Sequence, residues 1–243
     1  MHSQWVWQSA QQTHRGKRRR HNEDAVLSRC GAGLWVVADG MGGHQAGEVA
    51  SQAITAALAG VVLDGPLSAQ VDAVEDALLT VNAELRLHAH SQGDGATIGS
   101  TVVAMVVQGD RAVVLWAGDS RLYRLRDGCL EQITRDHNPV ADLLDSGAVS
   151  EQEALAAETN IITRAVGGQA RLFLDLAVFD VHCGDTFLLC SDGLYRELDA
   201  AAIAAALAGD VLEEAAESML EQCLAGVAQD NISLVIARPE LPA

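Results

Sequence analysis

Alternating and continuous apolar runs along the chain predict short β-strands interrupted by two pairs of helices. The strand-like runs are Val6–Gln11, Asp24–Arg29, Gly33–Ala38, Thr101–Val107, Ala112–Trp116, Leu122–Leu125, Leu172–Phe179, Thr186–Cys190 and Ile232–Ala237. Apolar residues at helical spacing predict helices over Ala46–Leu63, Ser68–His90, Asp199–Leu207 and Asp210–Leu224. Strand clusters followed by helix pairs fit an α/β domain of stacked sheets covered by helices, and this irregular order disfavours a doubly wound parallel sheet.

The connections between these elements are short and polar. Gly109-Asp110 and Gly118-Asp119 separate alternating apolar runs, which is typical of β-hairpins. Over residues 134–168 the pattern loosens into short polar helices. No repeat, linker or low-complexity block divides the sequence, so we predict one domain over residues 1–243.

Composition and charge restrict the possible partners. The chain has 243 residues and 49% of them are hydrophobic, so it can bury a sizeable core and is not disordered. Its 33 acidic and 16 basic residues give a formal net charge of −17, which argues against binding nucleic acid or an anionic membrane. No apolar run is long enough to span a bilayer. Five widely spaced cysteines without a C-x-x-C pair predict a reducing, cytoplasmic location.

Carboxylates stand where apolar strands end. Asp39 and Asp192 each follow an apolar run and precede a glycine, and Asp230 stands just before the last strand. A single Asp-Gly pair most often marks a turn. Three carboxylates at strand ends form the arrangement that hard, oxygen-binding cations require. Because no His or Cys cluster accompanies them, the sequence favours Mg²⁺ or Mn²⁺ over Zn²⁺.

A basic run lies near the N-terminus. Residues 15–20 include five basic side chains, and Glu23 and Asp24 follow directly. Alone, such a run suggests a nucleic-acid patch or a solvated arm, but the adjacent acids would repel phosphate unless a metal bound them. Cations beside metal-bound carboxylates make a phosphate site. In an extended segment, four side chains would share one face: Arg15, Lys17, Arg19 and His21.

Together, these motifs resemble one protein family. In chain order they read Arg15-Gly16-x-x-Arg19-x-x-Asn22-Glu23-Asp24, Ala38-Asp39-Gly40-Met41-Gly42-Gly43-His44, Gly99-Ser100-Thr101, Gly118-Asp119-Ser120-Arg121, Ile162-Thr163-Arg164-Ala165-Val166-Gly167, Ser191-Asp192-Gly193 and Asp230-Asn231-x-Ser233. Over nearly its full length the chain is similar to metal-dependent protein serine/threonine phosphatases of the PPM family, also called type 2C phosphatases. It resembles the bacterial, single-domain members.

The resemblance implies a fold and a metal centre. The fold would be a four-layer αββα sandwich of class α/β (α+β), in which two antiparallel β-sheets are flanked by helix pairs. A flap over about residues 134–168 would lie beside the metal cleft. Asp39 would bridge two Mn²⁺ or Mg²⁺ ions, and the Gly40 carbonyl would bind one of them. Asp192 and Asp230 would bind the other ion.

The same resemblance implies roles for residues around the metals. Glu23 and Asp24 would hold metal-bound waters from outside, together with Asn231. Arg19 would bind the substrate phosphate. These residues would surround the ions without ligating them directly.

Two further roles are less specific. Asp119 would join Asp192 at a third metal, although a hairpin turn explains Asp119 equally well from sequence alone. His44 could donate a proton to the leaving group, because Met41 stands where many eukaryotic relatives carry a histidine. An exposed structural histidine at a helix start explains His44 at least as well, and a metal-bound water is another possible donor.

The implied activity is hydrolysis of phosphoserine and phosphothreonine monoesters on proteins. Two metals about 3.5–4 Å apart would lower the pKa of a bridging water and orient it for in-line attack. Arg19 would stabilise charge on the equatorial oxygens. No cysteine stands in a C-x-x-x-x-x-R phosphate loop, which disfavours a cysteine-dependent phosphatase. We expect a monomer that counteracts a bacterial serine/threonine kinase and acts on phosphorylated proteins, including that kinase and its substrates.

Three other interpretations stay open. A catalytically weak phosphoprotein-binding regulator, or pseudophosphatase, would share the fold, although the chain retains Arg19, Asp39, Asp192 and Asp230. A nucleic-acid module could use residues 15–20, but the net charge of −17 opposes it. A phosphatase acting on an anti-sigma-factor antagonist would usually carry a sensory domain, for which we expect no room.

Overall fold

Two antiparallel β-sheets lie face to face between helices. The computed structural model describes residues 5–42, 46–93, 97–140, 143 and 161–241. In this part of the chain the strands are β1 (Val6–His14), β2 (Asp24–Arg29), β3 (Leu34–Gly42), β4 (Ile98–Ser100), β5 (Val102–Gln108), β6 (Arg111–Ala117), β7 (Arg121–Arg126), β8 (Cys129–Gln132), β9 (Asp175–Asp180), β10 (Thr186–Cys190) and β11 (Ile232–Glu240). The helices are α1 (Ala46–Gly60), α2 (Leu67–Ser91), α3 (Asp192–Tyr195), α4 (Ala200–Leu207) and α5 (Leu212–Ala225).

The strand order separates the chain into two sheets. The first sheet has the order β1-β11-β10-β7-β8. The second has the order β2-β3-β5-β6-β9, and the short β4 pairs with the end of β3. In the first sheet, the strands nearest the two chain ends lie side by side, since Val6 is opposite Glu240 and His14 is opposite Ile232.

Successive side chains of β3 point alternately into two different apolar layers. Leu34 and Val36 pack in the layer under α1 and α2, whereas Trp35 and Val37 pack between the two sheets. Both faces of this strand are covered, so it reads as a continuous apolar run. A separate apolar layer joins the first sheet to α4 and α5. The four-layer αββα sandwich is therefore confirmed.

The sequence predicted most of these elements and missed the shortest ones. Strands β4 and β8 and helix α3 have only three or four residues, too few to show a period. Strand β1 continues to His14 because β11 pairs with it over its whole length. The run predicted to begin at Leu172 becomes a strand only at Asp175, where pairing with β6 begins. The helix predicted to end at Leu63 ends at Gly60.

One of the two predicted hairpins is wrong. Gly109-Asp110 joins the paired strands β5 and β6, as predicted. Gly118-Asp119 instead leads from β6 in the second sheet to β7 in the first, and these two strands do not pair. The local sequence of a sheet-to-sheet crossing resembles that of a hairpin, because both need a glycine where the chain turns.

Much of the predicted flap lies outside the described residues. Of residues 134–168, the structure describes 134–140, 143 and 161–168. The short polar helices predicted between these ranges cannot be compared with it. A single domain over residues 1–243 also stays a prediction.

The longest helix, α2, packs through one face only. It buries Val74, Leu78, Val81 and Leu85, which recur at helical spacing, and exposes Leu87 on another face. This burial pattern is that of a surface helix on a sheet. In the described part of the chain, no helix combines the length and the apolar character needed to cross a membrane.

The face of α2 gives a test of the packing. Leu78 is fully buried, whereas its neighbour Leu79 is 39% exposed. We expect Leu78→Ala to lower the free energy of unfolding by about 2–5 kcal/mol, because it removes buried methyl groups and leaves a cavity. Leu79→Ala should change it by less than about 1 kcal/mol. Urea denaturation followed by circular dichroism measures both, and equal losses would contradict the packing.

Candidate active site

Strand ends from both sheets bring acidic side chains together. Asp24 at the start of β2 is paired directly with Asp39 in β3. Asp192 follows β10 as the first residue of α3, and Asp230 stands two residues before β11. Asp24, Asp192 and Asp230 all raise the pKa of Asp39, which places the four carboxylates in one neighbourhood. We call Asp24, Asp39, Asp119, Asp192 and Asp230 the acidic group.

Thr101 holds Asp39 through both backbone and side chain. Its amide N–H donates to the Asp39 carbonyl oxygen at 2.9 Å, and the Asp39 amide donates to Thr101 Oγ1 at 3.0 Å. Thr101 Oγ1 also shares a hydrogen bond of 2.7 Å with Ser120 Oγ. Gly118 packs so closely that a Cβ there would lie 2.6 Å from Thr101. The β6–β7 crossing therefore supports the position of Asp39.

The same crossing brings Asp119 into the acidic group. The Tyr195 hydroxyl in α3 donates to the Asp119 carbonyl oxygen at 3.0 Å. The Arg121 guanidinium lies 3.5 Å from the centroid of the Tyr195 ring and makes two hydrogen bonds to Asp136. Burial raises the pKa of Asp119 to about 7, and the charge of Asp192 adds to this effect. Asp119 is thus part of the site rather than of a hairpin.

Burial and mutual repulsion oppose ionisation of the acidic group. Burial raises the pKa of Asp24 to about 7. It also raises the pKa of Asp39 well above its usual range, and the charges of Asp24, Asp192 and Asp119 raise it further. Burial raises the pKa of Asp192, although Arg196 opposes the shift. Divalent cations relieve this kind of repulsion.

Two buried carboxylate oxygens lack a hydrogen-bond partner in the described structure: Asp24 Oδ1 and Asp192 Oδ1. The other carboxylate oxygen of each residue has a partner. Ser191 Oγ donates to Asp24 Oδ2 at 2.8 Å, and Arg196 pairs with Asp192 Oδ2 at 2.9 Å. A buried carboxylate oxygen without a partner destabilises the folded state. These two oxygen atoms are therefore suited to bind a cation.

The basic run over residues 15–20 forms a turn. Gly16 has a φ of +71°, and a Cβ there would lie 2.0 Å from the Asp230 carbonyl oxygen, so glycine is required. The Lys17 ammonium donates to the Gly226 carbonyl oxygen at 3.0 Å. The segment is thus not extended, and the turn breaks the two-residue repeat that would give one face to Arg15, Lys17, Arg19 and His21.

Asn231 fastens this turn to the acidic group. Its Nδ2 donates to the carbonyl oxygens of Arg15 and His21, both at 3.0 Å. Its Oδ1 accepts a hydrogen bond of 2.8 Å from the Glu23 amide. The Asn231 side chain, next to Asp230, therefore holds both ends of the N-terminal turn and the backbone amide of Glu23 in place.

Arg19 is an exposed cation at the edge of the acidic group. Its Nη2 lies 2.7 Å from Asp230 Oδ2, and its side chain is 52% exposed. The hydrogen bond with Asp230 raises the pKa of Arg19, and the charges of Glu23 and Asp39 contribute. A guanidinium in this position can bind an anion that reaches the group from solvent.

Close backbone contacts join β3 to α1 at Gly40. The Gly40 amide donates to the Glu23 carbonyl oxygen at 3.1 Å, and Ser51 Oγ donates to the same oxygen at 2.6 Å. A Cβ on Gly40 would lie 2.0 Å from the Gly47 carbonyl oxygen. Burial raises the pKa of Glu23. Glycine at position 40 therefore permits the contact that places Glu23 beside the site.

The acidic group fits a divalent cation in its chemistry. The charge of Asp192 raises the pKa of Asp39, so the two carboxylates are neighbours, and Asp192 keeps an unpaired oxygen. Asp230 is engaged by Arg19, and no three His, Cys, Asp or Glu side chains of the described chain stand close enough to ligate one ion. Mg²⁺ and Mn²⁺ commonly keep water and backbone carbonyls among their ligands, so two carboxylates are a sufficient protein contribution.

Some residues that build the site were not singled out from the sequence. Tyr195, Arg196 and Ser51 make the contacts described above with Asp119, Asp192 and Glu23. The spacing of Asp192 and Arg196 is that of an i,i+4 helix pair and would have indicated their contact if α3 had been predicted. His44 lies outside the described residues, so its role stays a prediction.

Comparison with known families gives a match over most of the chain. The family model described as Protein phosphatase 2C matches residues 11–229. The serine/threonine protein phosphatase PstP of Mycobacterium tuberculosis is 37% identical over 233 residues, which are 96% of this chain and 45% of PstP. The chain thus spans about half the length of that relative. The serine/threonine phosphatase stp of Listeria monocytogenes is 32% identical, and the match covers 94% of each chain.

Solved structures agree with this match. PppA, described as a key regulatory component of T6SS in Pseudomonas aeruginosa, is 41% identical with a TM-score of 0.89, covering 97% of this chain and 98% of PppA. The catalytic domain of PstP, solved in complex with two manganese ions, is 37% identical with a TM-score of 0.85, covering 97% and 99%. The family that the motifs indicated is therefore confirmed: this protein belongs to the protein phosphatase 2C family.

Proposed function

We propose that this protein hydrolyses phosphoserine and phosphothreonine monoesters on other proteins, using two Mn²⁺ or Mg²⁺ ions in the acidic group. The observation that carries this proposal is the meeting of Asp39, Asp192 and Asp230 beside the exposed guanidinium of Arg19. The named relatives are serine/threonine phosphatases, and one of them binds two manganese ions. Metal-dependent hydrolysis of a phosphate monoester uses ions that activate water, together with a cation for the nonreacting phosphate oxygens.

The acidic group would hold the ions. Asp39 would bridge two of them, with the Gly40 carbonyl on one and Asp192 on the other. Asp230 would have to turn from Arg19 to join Asp192 at that second ion. Asp119 would join Asp192 at a third. When bound, the ions would supply the positive charge that lowers the pKa of the attacking water. Because burial and repulsion raise the pKa of Asp39, Asp119 and Asp192, metal binding would have to release protons from these groups.

Arg19 would bind the phosphate. Its guanidinium pairs with Asp230, so metal binding at Asp230 would free it for another anion. The planar fork of an arginine matches two oxygens of a phosphate. Charge that grows on the nonreacting oxygens during the reaction would be stabilised there without movement of solvent.

Residues around this centre would position its components. Asn231 fixes the Glu23 amide and the N-terminal turn, and Ser191 holds Asp24. Glu23 and Asp24 would accept hydrogen bonds from water next to the ions. His44 is the proposed proton donor to the leaving group.

The substrates and setting are also proposals. We propose that a bacterial serine/threonine kinase and its phosphorylated targets are the partners. PppA is described as a regulatory component of T6SS, so a phosphoprotein of such a system is the first substrate to test. We further propose that residues 1–243 form one cytoplasmic, monomeric phosphatase domain with a flap over residues 134–168.

Asp39→Asn should abolish Mn²⁺-dependent hydrolysis of a phosphoserine peptide, with a loss of at least about 100-fold in kcat. The substitution removes the carboxylate proposed to bridge both ions. Phosphate release measures it, and circular dichroism confirms that the fold persists. Asp180→Asn, which changes an exposed carboxylate at the end of β9, is the matched control.

Retained turnover in Asp39→Asn would contradict the bridging role. A wild-type protein that binds the phosphopeptide with Mn²⁺ but releases no phosphate would be a pseudophosphatase. Loss of wild-type activity on adding a chelator, and its return with excess Mn²⁺, is the expected result.

Arg19→Ala should lower kcat/KM for a phosphopeptide by about 100-fold, because preorganised charge at the phosphate is lost. Arg19→Lys should restore little of it, since an ammonium lacks the fork. Arg18→Ala, at the exposed neighbouring position, is the control. Calorimetric Mn²⁺ titration should show metal binding retained in Arg19→Ala; loss of metal binding would place Arg19 in the metal site instead.

Asp24→Asn should stabilise the metal-free protein at neutral pH. Burial raises the pKa of Asp24 from 3.8 to about 7, so the folded state binds a proton more tightly than the unfolded state. The stability of the wild type relative to the variant therefore falls as pH rises from about 4 to 7 and levels off above. Thermal unfolding in chelator from pH 4 to 8 measures this, and a Tm difference independent of pH would refute it.

A further inference from the structure

A small groove lies beside the segment that follows the undescribed part of the flap. We call it the Arg171 groove; its volume is about 210 Å³. Its lining consists of residues 163–165, Gln169 and residues 171–173. Gln169 closes one end, because its Nε2 donates to the Thr163 carbonyl oxygen at 3.2 Å.

The groove presents a guanidinium on an aromatic ring. The Arg171 guanidinium carbon lies 4.8 Å from the centroid of the Phe173 ring, and both side chains are exposed. In the described structure Arg171 forms no ion pair. A second guanidinium in the lining, that of Arg164, is already bound to Asp175 at 2.6 Å. Arg171 therefore supplies the uncompensated positive charge of the groove.

This charge is of the sign that attracts an acidic side chain. The chain carries 33 acidic and 16 basic side chains, so an acidic segment of a substrate is repelled by the net charge and can be attracted only where cations such as Arg171 are exposed. Stacking on Phe173 restrains the long Arg171 side chain, which lowers the entropy lost when it binds an anion. A carboxylate is complementary in charge and shape to this guanidinium.

Strand pairing places the groove lining near the acidic group. Gly40 in β3 is paired with Ser100 in β4, and Ser100 is bridged to Val166. Neighbouring strands lie about 4.8 Å apart, so the backbones of Gly40 and Val166 are about 10 Å apart. Ala165, in the groove lining, precedes Val166 in the chain. A peptide bound at the acidic group can therefore reach the groove within a few residues, since each extended residue spans about 3.3 Å.

We propose that the Arg171 groove binds an aspartate or glutamate of the substrate protein, within a few residues of the phosphorylated residue. This inference rests on the proposed function, because it names which phosphoprotein segments the same site would prefer. The Arg171 guanidinium would pair with the substrate carboxylate, and the Phe173 ring would hold that guanidinium in place. Substrate choice would thus be set partly outside the metal centre.

The experiment compares phosphoserine peptides that differ at one position. In each peptide, glutamate or lysine stands at one of the four positions on either side of the phosphoserine, and kcat/KM is measured with Mn²⁺. We expect the wild type to prefer glutamate over lysine by about fivefold at one or two of these positions, the effect of one exposed ion pair. Arg171→Glu should remove or reverse the preference.

The matched control is Arg111→Glu. Arg111 is an exposed arginine at the far end of β6 from the crossing that carries Asp119, and the change in charge is the same. It should keep the wild-type preference. Phe173→Ala should weaken the preference without reversing it, because the charge remains. Hydrolysis of a small aryl phosphate should be equal in all four proteins, since this substrate does not reach the groove.

Several results would overturn the inference. A glutamate preference that is absent in the wild type, or equal in Arg171→Glu and wild type, refutes it. So does a change in oligomeric state of Arg171→Glu in sedimentation velocity, because the groove would then contact a second copy of the chain. If the wild type hydrolyses neither the phosphopeptides nor the aryl phosphate, the proposed function fails. Fluorescence anisotropy of the labelled peptides then still tests the groove by the same glutamate-against-lysine comparison.

Discussion

Repulsion among buried carboxylates is the constraint that the rest of this structure accommodates. Five acids from five segments of the chain meet where strands of two sheets end. Burial raises the pKa of Asp24 and of Asp119 to about 7, and it raises the pKa of Asp39 well above its usual range. Such a group is unfavourable in a protein without bound cations. Only a framework stabilised elsewhere can hold it, and three separate apolar layers supply that stability.

Glycine and small polar residues fix the positions of the acids within this framework. Where Gly16 and Gly40 stand, a methyl group would collide with backbone oxygens, so the turn and β3 approach their neighbours more closely than other residues allow. Thr101, Ser191 and Asn231 then make hydrogen bonds that leave little freedom to the backbone of Asp39, the side chain of Asp24 and the amide of Glu23. Local backbone geometry, rather than side-chain length, therefore sets the position of the acids.

The sequence predicted the long elements and the identity of the acids, but not how the acids are supported. Runs such as Gly33–Ala38 are apolar on both faces, and such a continuous apolar run can be recognised from the sequence alone. The short α3 and β4 carry no period, so the contacts of Arg196 and Tyr195 were invisible. Gly118-Asp119 was ambiguous because a turn and a crossing use the same residues. The turn in the basic run could not be predicted either, since nothing in the sequence indicates that Gly16 contacts Asp230.

The direct pairing of Asp24 with Asp39 limits where residues can be inserted into this chain. Side chains alternate between the two faces of a strand. A shift of β2 by a single position would therefore turn every side chain of the strand, including that of Asp24, to the opposite face of the sheet. The tight connection over Cys30–Ala32, which ends in the left-handed Gly33, is what sets that alignment. An insertion of one residue there would misdirect a carboxylate more than six residues away, whereas additions to other surface loops would leave it undisturbed.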